Sequence, residues 1–298
     1  VTIPFLGETC SLLTAVCWSA SSILFAAATK RLGSVRVNTA RLLFATFYLV
    51  FTILLLNIPL AVSKRQFLCL AASGLMGLAF GDSFLFRAFR EIGARMSMLI
   101  MSTAPAIGAV LAYIFLGEGL SGWAILGIAV TLTGVAIVVV EQREGAVARG
   151  VVSWTGVLFG FLGAVGQGGG LVFAKVAFNE GAINGFVATF IRILVSLCVL
   201  IPFALATQGG KSTVAAFAGE RKGLLLTAAG SVAGPFAGIT LSLVAVASTS
   251  VGVAATLMAT VPVMMLPLTK VVYRERLTWK SVAGAVLAVG GVAVLFLR

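Results

Sequence analysis

The feature that most constrains this chain is the spacing of its charges, which punctuate long neutral stretches of nearly constant length. Between Glu8 and Lys30 lie 21 uncharged residues, between Arg41 and Lys64 there are 22, and the intervals Arg95 to Glu118 and Glu118 to Glu141 each hold 22. About 20 residues of α-helix cross the hydrocarbon core of a bilayer. Two longer runs continue the pattern, 25 residues from Arg149 to Lys175 and 47 from Lys222 to Lys270, the second long enough for two crossings joined at Ser248-Thr249-Ser250. With 60% apolar and 10% charged residues, no soluble core could hide this much hydrocarbon surface.

Read this way, the sequence predicts an all-α integral membrane fold of ten transmembrane helices near 6–29, 37–57, 66–86, 94–116, 119–140, 152–177, 184–206, 223–246, 250–271 and 279–297. The remaining connections are too short for a soluble catalytic module. The net charge of +12 does not indicate a nucleic-acid partner, because the Lys and Arg residues stand singly or in pairs at helix ends, where cations anchor membrane spans. The first segment has no basic leader and is expected to remain as helix one. Cys10, Cys17, Cys69 and Cys198 fall within helices as buried thiols. Without a CxxC pair or a single histidine, neither a metal site nor a cofactor is expected.

Sliding the sequence on itself by 157 positions lays helices three to five on helices eight to ten without a gap. Ser73, Gly77 and Gly81 meet Gly230, Gly234 and Gly238. Met101, Thr103 and Pro105 meet Met258, Thr260 and Pro262; Glu118 meets Glu275, and Gly134-Val135-Ala136 meets Gly291-Val292-Ala293. Earlier helices correspond at shorter offsets, Ala15 with Ala164 and Arg41 with Arg192. Residues 1–146 and 147–298 are therefore expected to be two five-helix repeats. Five crossings is an odd number, so the second repeat must run inverted, an arrangement common among secondary transporters.

Several residues stand out as candidates for chemistry. Gly77, Gly81, Gly234 and Gly238 place small residues on one face of helices three and eight, where neighbouring backbones can approach and slide. Pro105 and Pro262 read as paired mid-helix prolines, each freeing a backbone carbonyl and serving as a hinge. Asp82, the sole aspartate, lies inside helix three; a carboxylate there needs a wet cavity or a partner, with Arg87 as a structural alternative. Arg41 and Arg192 lie well inside helices, whereas Lys175 is near enough to its helix end to snorkel. Among the aromatics Phe80, Phe84, Tyr113, Phe159 and Phe236, Trp18 is joined to the candidates because it sits mid-helix, away from the interfacial belt.

Two turn motifs carry a family resemblance. Leu116-Gly117-Glu118-Gly119-Leu120, followed by Gly127 and Gly134, and Arg274-Glu275-Arg276-Leu277-Thr278, followed by Gly284 and Gly291, resemble the Gly-Glu-Arg-Leu turn of the EamA-type exporters of the drug/metabolite transporter superfamily. Gly119 and Arg274 depart from that pattern. Val16-Cys17-Trp18-Ser19 is similar to helix one of the aromatic amino acid exporters in that superfamily. The resemblance implies a basket of ten helices in the plasma membrane, with a cavity built from helices three, four, eight and nine. Carried onto this chain, it makes Asp82, Ser83, Ser97, Met101, Pro105, Thr256, Thr260 and Pro262 candidate substrate-binding residues, with Trp18 added. The expected partners are the lipid bilayer and a small-molecule substrate, an amino acid or similar metabolite, with a lipophilic or cationic drug as the alternative. No obligate protein partner and no enzymatic activity are expected.

Orientation is read in two opposing ways. Connections after odd-numbered helices hold 15 Lys and Arg, against Lys64, Arg65 and Arg298 elsewhere, which places both termini outside. The resemblance implies both termini in the cytoplasm.

Overall fold

The computed structural model describes residues 5–117, 119, 121–147, 153–248, 257–273 and 278–295. All regular structure in them is helical. The chain order is α1 (Leu6–Leu32), α2 (Ser34–Leu55), α3 (Lys64–Gly74), α4 (Asp82–Met101), α5 (Ala104–Leu116), α6 (Gly122–Val147), α7 (Trp154–Asn179), α8 (Gly185–Gln208), α9 (Gly210–Gly219), α10 (Arg221–Ser231), α11 (Ile239–Ser248), α12 (Val261–Tyr273) and α13 (Trp279–Leu295). Two seven-residue π-helical segments, π1 (Leu75–Gly81) and π2 (Val232–Gly238), join α3 to α4 and α10 to α11. Among the described residues, seven helices are long and apolar enough to cross a membrane, and Ala104–Phe115, Val261–Val272 and Trp279–Leu295 are shorter apolar helices. Large apolar side chains such as Phe47, Leu54, Phe115 and Val271 point outward. A surface of this kind requires a hydrocarbon solvent.

Several boundaries differ from the sequence expectation. Between Lys64 and Met101 the backbone leaves the helical region once, in the connection expected between helices three and four. The bend is at Gly93, whose φ of 75° and ψ of 170° lie in a region open essentially to glycine, so no other residue could stand there without strain of about 1–3 kcal/mol. A second break follows at Ser102 and Thr103, where the amide of Thr103 reaches the Ile100 carbonyl at 3.0 Å and its hydroxyl reaches the same carbonyl at 2.7 Å. Pro105 consequently opens α5 in its first turn, not mid-helix. The second break recurs 157 positions on. Thr260 bonds the Leu257 carbonyl through its amide at 3.2 Å and its hydroxyl at 2.7 Å, and Pro262 is the second residue of α12. Both prolines thus occupy positions where a missing N–H costs nothing. The connection expected after helix seven contains the short helix α9, and Cys198 lies on the outer face of α8 and not in the interior.

The two π segments also stand 157 positions apart. In each, the amide after the segment reaches back five residues, Asp82 to the Gly77 carbonyl and Ile239 to the Gly234 carbonyl. Pro235 inside π2 has no N–H to donate, one reason for a wider turn there.

Helices α6 and α13 make the most extensive contact in the molecule, through backbone. A Cβ on Gly127 would fall 2.3 Å from the Leu295 nitrogen and 2.6 Å from the Gly291 carbonyl oxygen. One on Gly134 would fall 2.4 Å from the Ala288 nitrogen and 2.7 Å from the Gly284 carbonyl oxygen. As numbers rise along one helix they fall along the other, so the pair is antiparallel. Gly127 is equivalent to Gly284 and Gly134 to Gly291, hence each residue touches its partner's equivalent, the signature of a two-fold contact. The crossing lies at Thr131, whose hydroxyl reaches the carbonyl of its own equivalent, Ala288, at 3.4 Å.

Candidate functional site

Asp82 follows π1 directly, and the fold buries it to 4% exposure. Its partner is Arg41 of α2, which forms an ion pair with Oδ2 and is itself 5% exposed. The structural alternative, a pair with Arg87, does not form. Residues five apart lie about 140° apart around a helix and cannot face each other. Arg87 instead lies over the Phe84 and Phe159 rings, each centroid 5.7 Å from its guanidinium carbon. The Phe80, Phe84 and Phe159 rings form one cluster there, while Phe236 packs between Tyr48 and Phe186, and Tyr113 faces outward.

The ion pair sits in a polar network. Arg41 Nε donates to Asn38 Oδ1 at 3.0 Å, and Asn38 Nδ2 donates to Ser83 Oγ at 3.1 Å. From α7, Gln167 Nε2 donates to Asp82 Oδ1 at 2.7 Å and to the Gly77 carbonyl at 3.3 Å. The Arg41 guanidinium also lies 4.8 Å from the Phe86 centroid and 5.8 Å from that of Phe25, a cation–π geometry that partly replaces lost hydration. In low dielectric the cost of desolvating such a pair is offset by partners of this kind on both sides.

Small residues let the elements approach closely enough to build this network. A Cβ on Gly81 would lie 3.2 Å from the Gln167 nitrogen, and one on Gly166 would lie 2.4 Å from the Gly81 Cα. The same contact recurs between helices one and eight. A Cβ on Gly238 would lie 2.6 Å from Trp18 Cδ1, and one on Gly234 would lie 3.1 Å from Ser21 Oγ. Trp18 and Gln167 are 149 positions apart, the offset that relates helix one to helix six. An indole and an amide thus stand at matching places of that offset, against Gly238 and Gly81.

The other expected site residues are distributed around this centre. Ser83 accepts from Asn38 and so belongs to the network. Trp18 and Met101 pack on the apolar cluster that contains Phe25 and Phe86, beside Arg41. Ser97 is buried away from Asp82 and returns its hydroxyl to the Gly93 carbonyl at 2.7 Å, sealing the bend. Pro105 and Thr260 mark the helix breaks already described. Pro262 lines a cavity of about 10 Å³, room for one water, with Arg95, Met96, Leu99, Leu266 and Ser281. Thr256, together with Glu118 and Glu275, lies outside the described residues. Sequence reading missed Asn38 and Gln167. Gln167 could have been found as the one amide in the neutral stretch from Arg149 to Lys175.

Comparison with known proteins agrees in fold and class. The model of the EamA-like transporter family matches this chain twice, over residues 5–140 and 154–297. An uncharacterized transporter of Archaeoglobus fulgidus is 22% identical over 288 residues, covering 96% of either chain. A solved crystal structure superimposes with a TM-score of 0.64 at 16% identity over 97% of this chain and 96% of that one, a likeness of fold alone.

Proposed function

Because the chain belongs to the EamA-like transporter family and is a multi-pass membrane transporter of the plasma membrane, we propose that it exports neutral and aromatic amino acids, or similar small metabolites, by alternating access. In this reading ten spans form two inverted repeats, residues 1–146 and 147–298. Support comes from the doubled family match, from π segments and helix breaks repeated at 157 positions, and from the two-fold contact of α6 with α13. Rocking of such halves about their shared axis would expose one central site to either side in turn. The glycine faces at Gly77, Gly81, Gly234 and Gly238 supply surfaces that slide, and the breaks before Pro105 and Pro262 supply hinges.

The observation that carries the substrate class is the buried cluster of Arg41, Asp82 and Gln167 beside the Phe25 and Phe86 rings. A carboxylate, a guanidinium and an amide against aromatic walls match an amino acid, which brings opposite charges and an apolar side chain. Two buried arginines against one aspartate disfavour a cationic drug. The test is counterflow by purified protein in liposomes, screened against the common amino acids and several cationic dyes. Accumulation of labelled neutral or aromatic amino acids is expected. Transport of the dyes without any amino acid would overturn the assignment.

A further inference from the structure

Arg192 and Arg41 hold matching places, each seven residues beyond the first residue of its helix, α8 and α2. Their surroundings differ. Arg41 has a carboxylate, an amide and two rings, whereas Arg192, equally buried at 6% exposure, keeps its Nε without a hydrogen-bond partner among the described residues. Helix contact fixes the backbone at Arg192. A Cβ on Gly74 would fall 2.3 Å from the Arg192 carbonyl oxygen, so α3 and α8 touch through backbone, and Ser196 donates its hydroxyl to that carbonyl at 2.6 Å. The guanidinium itself stands over Gly77, where a Cβ would lie 3.3 Å from Nη2 and 3.5 Å from Gln167 Oε1.

The local charge does not balance. Asp82 has both oxygens engaged, Oδ2 by Arg41 and Oδ1 by Gln167, and its charge also acts on Arg192, so one carboxylate faces two guanidiniums. Unpaired charge inside a bilayer is costly and persists where a functional ligand neutralises it. Arginine presents a planar fork that binds a carboxylate through two parallel bonds, and the missing side chain at Gly77 is what lets this fork lie so close to π1 and Gln167.

We infer that Arg192 is the anchor for the carboxylate of the transported molecule, an anionic subsite bounded by Gly77 and Gln167. The identity of that molecule rests on the amino acid reading above; the subsite itself does not. When the halves part, the incoming carboxylate pairs with Arg192, which cancels the positive surplus for a monoanion and, for a zwitterion, moves it to the ammonium of the cargo. Asp82 stays with Arg41 and is left to orient the rest of the cargo.

Two matched comparisons test this on purified protein in lipid nanodiscs and liposomes. Phenylacetate is expected to raise the thermal midpoint and phenylacetamide, its uncharged isostere, to leave it unchanged. In counterflow of labelled L-phenylalanine, the unlabelled acid is expected to compete about 10- to 100-fold better than L-phenylalaninamide, the range for a hydrogen bond to a charged group. Arg192→Gln should erase both differences, with Arg192→Lys keeping part of them. Equal potency of acid and amide on the unmodified protein overturns the proposal without recourse to any variant. Stabilisation by inorganic phosphate but not by phenylacetate overturns it too, since the site would then serve a free oxyanion. Absence of phenylalanine counterflow with the phenylacetate effect intact refutes the amino acid reading and upholds the subsite; counterflow with no acid–amide difference does the reverse.

Discussion

Replacing Asp82 by alanine should destabilise the protein by about 3–5 kcal/mol and abolish transport, the largest effect expected of any single substitution here. The cause is the charge left behind. Arg41 is 5% exposed and would lose its counter-ion, and Gln167 would lose the nearer of its two acceptors. The double variant Arg41→Met, Asp82→Leu removes both charges together and should recover most of the lost stability, because a buried pair exchanged for apolar groups of similar size is often neutral. Transport should remain absent in the double variant. Thermal unfolding in detergent and liposome counterflow on the same preparations check both halves of the statement. Recovery of transport along with stability would reduce the pair to a structural brace.

A comparable loss is expected at the α6–α13 crossing. Gly291→Leu should destabilise by about 3 kcal/mol, the upper end of overpacking penalties, because a Cβ at this position already falls 2.3 Å from the Thr131 nitrogen and backbone cannot step aside as a side chain can. Its neighbour provides the control. Gly290 has nothing within 4 Å of an added Cβ, and Gly290→Leu should be nearly silent in the same melting experiment. By the two-fold relation, Gly134→Leu should behave as Gly291→Leu does.

How much of this was legible in the sequence depends on the range of the interaction. The intervals between charges located the helices because the cost of a charge in lipid is local to each segment. The 157-residue offset is equally legible, and Gly77, Gly81, Gly234 and Gly238, which it aligns, lie where an added Cβ would crowd a neighbouring helix. It could not reveal that the offset also carries two π segments, since a wider turn leaves no fixed residue pattern. The prolines were visible, but their position within the helix was not. Pro105 reads as mid-helix because nothing in Ser102-Thr103 marks a stop, whereas the break at Gly93 falls in the connection expected between helices three and four.

The partner of Asp82 was hidden for a different reason. Arg41 and Asp82 are 41 residues apart in sequence and meet only when α2 packs on α4, a tertiary fact that no periodicity encodes. The rejected partner was within reach of sequence reasoning, since a spacing of five does not return a helix to the same face. Asn38 and Gln167 were passed over because neutral amides carry no charge to interrupt a span, although a buried amide needs a partner as surely as a carboxylate does.

Alternating access by the proposed route requires the two halves to run in opposed directions. Helix two ends at Leu55 and helix seven, its equivalent at an offset of 151, ends at Gln208. Leu56 and Thr207, equivalent at that offset and both exposed, can each be changed to cysteine after Cys10, Cys17, Cys69 and Cys198 have been removed. A membrane-impermeant maleimide applied to intact cells should then label one of the two and reach the other only after permeabilisation. Labelling of both from the same side would contradict the inverted repeat, and with it the proposed route of transport.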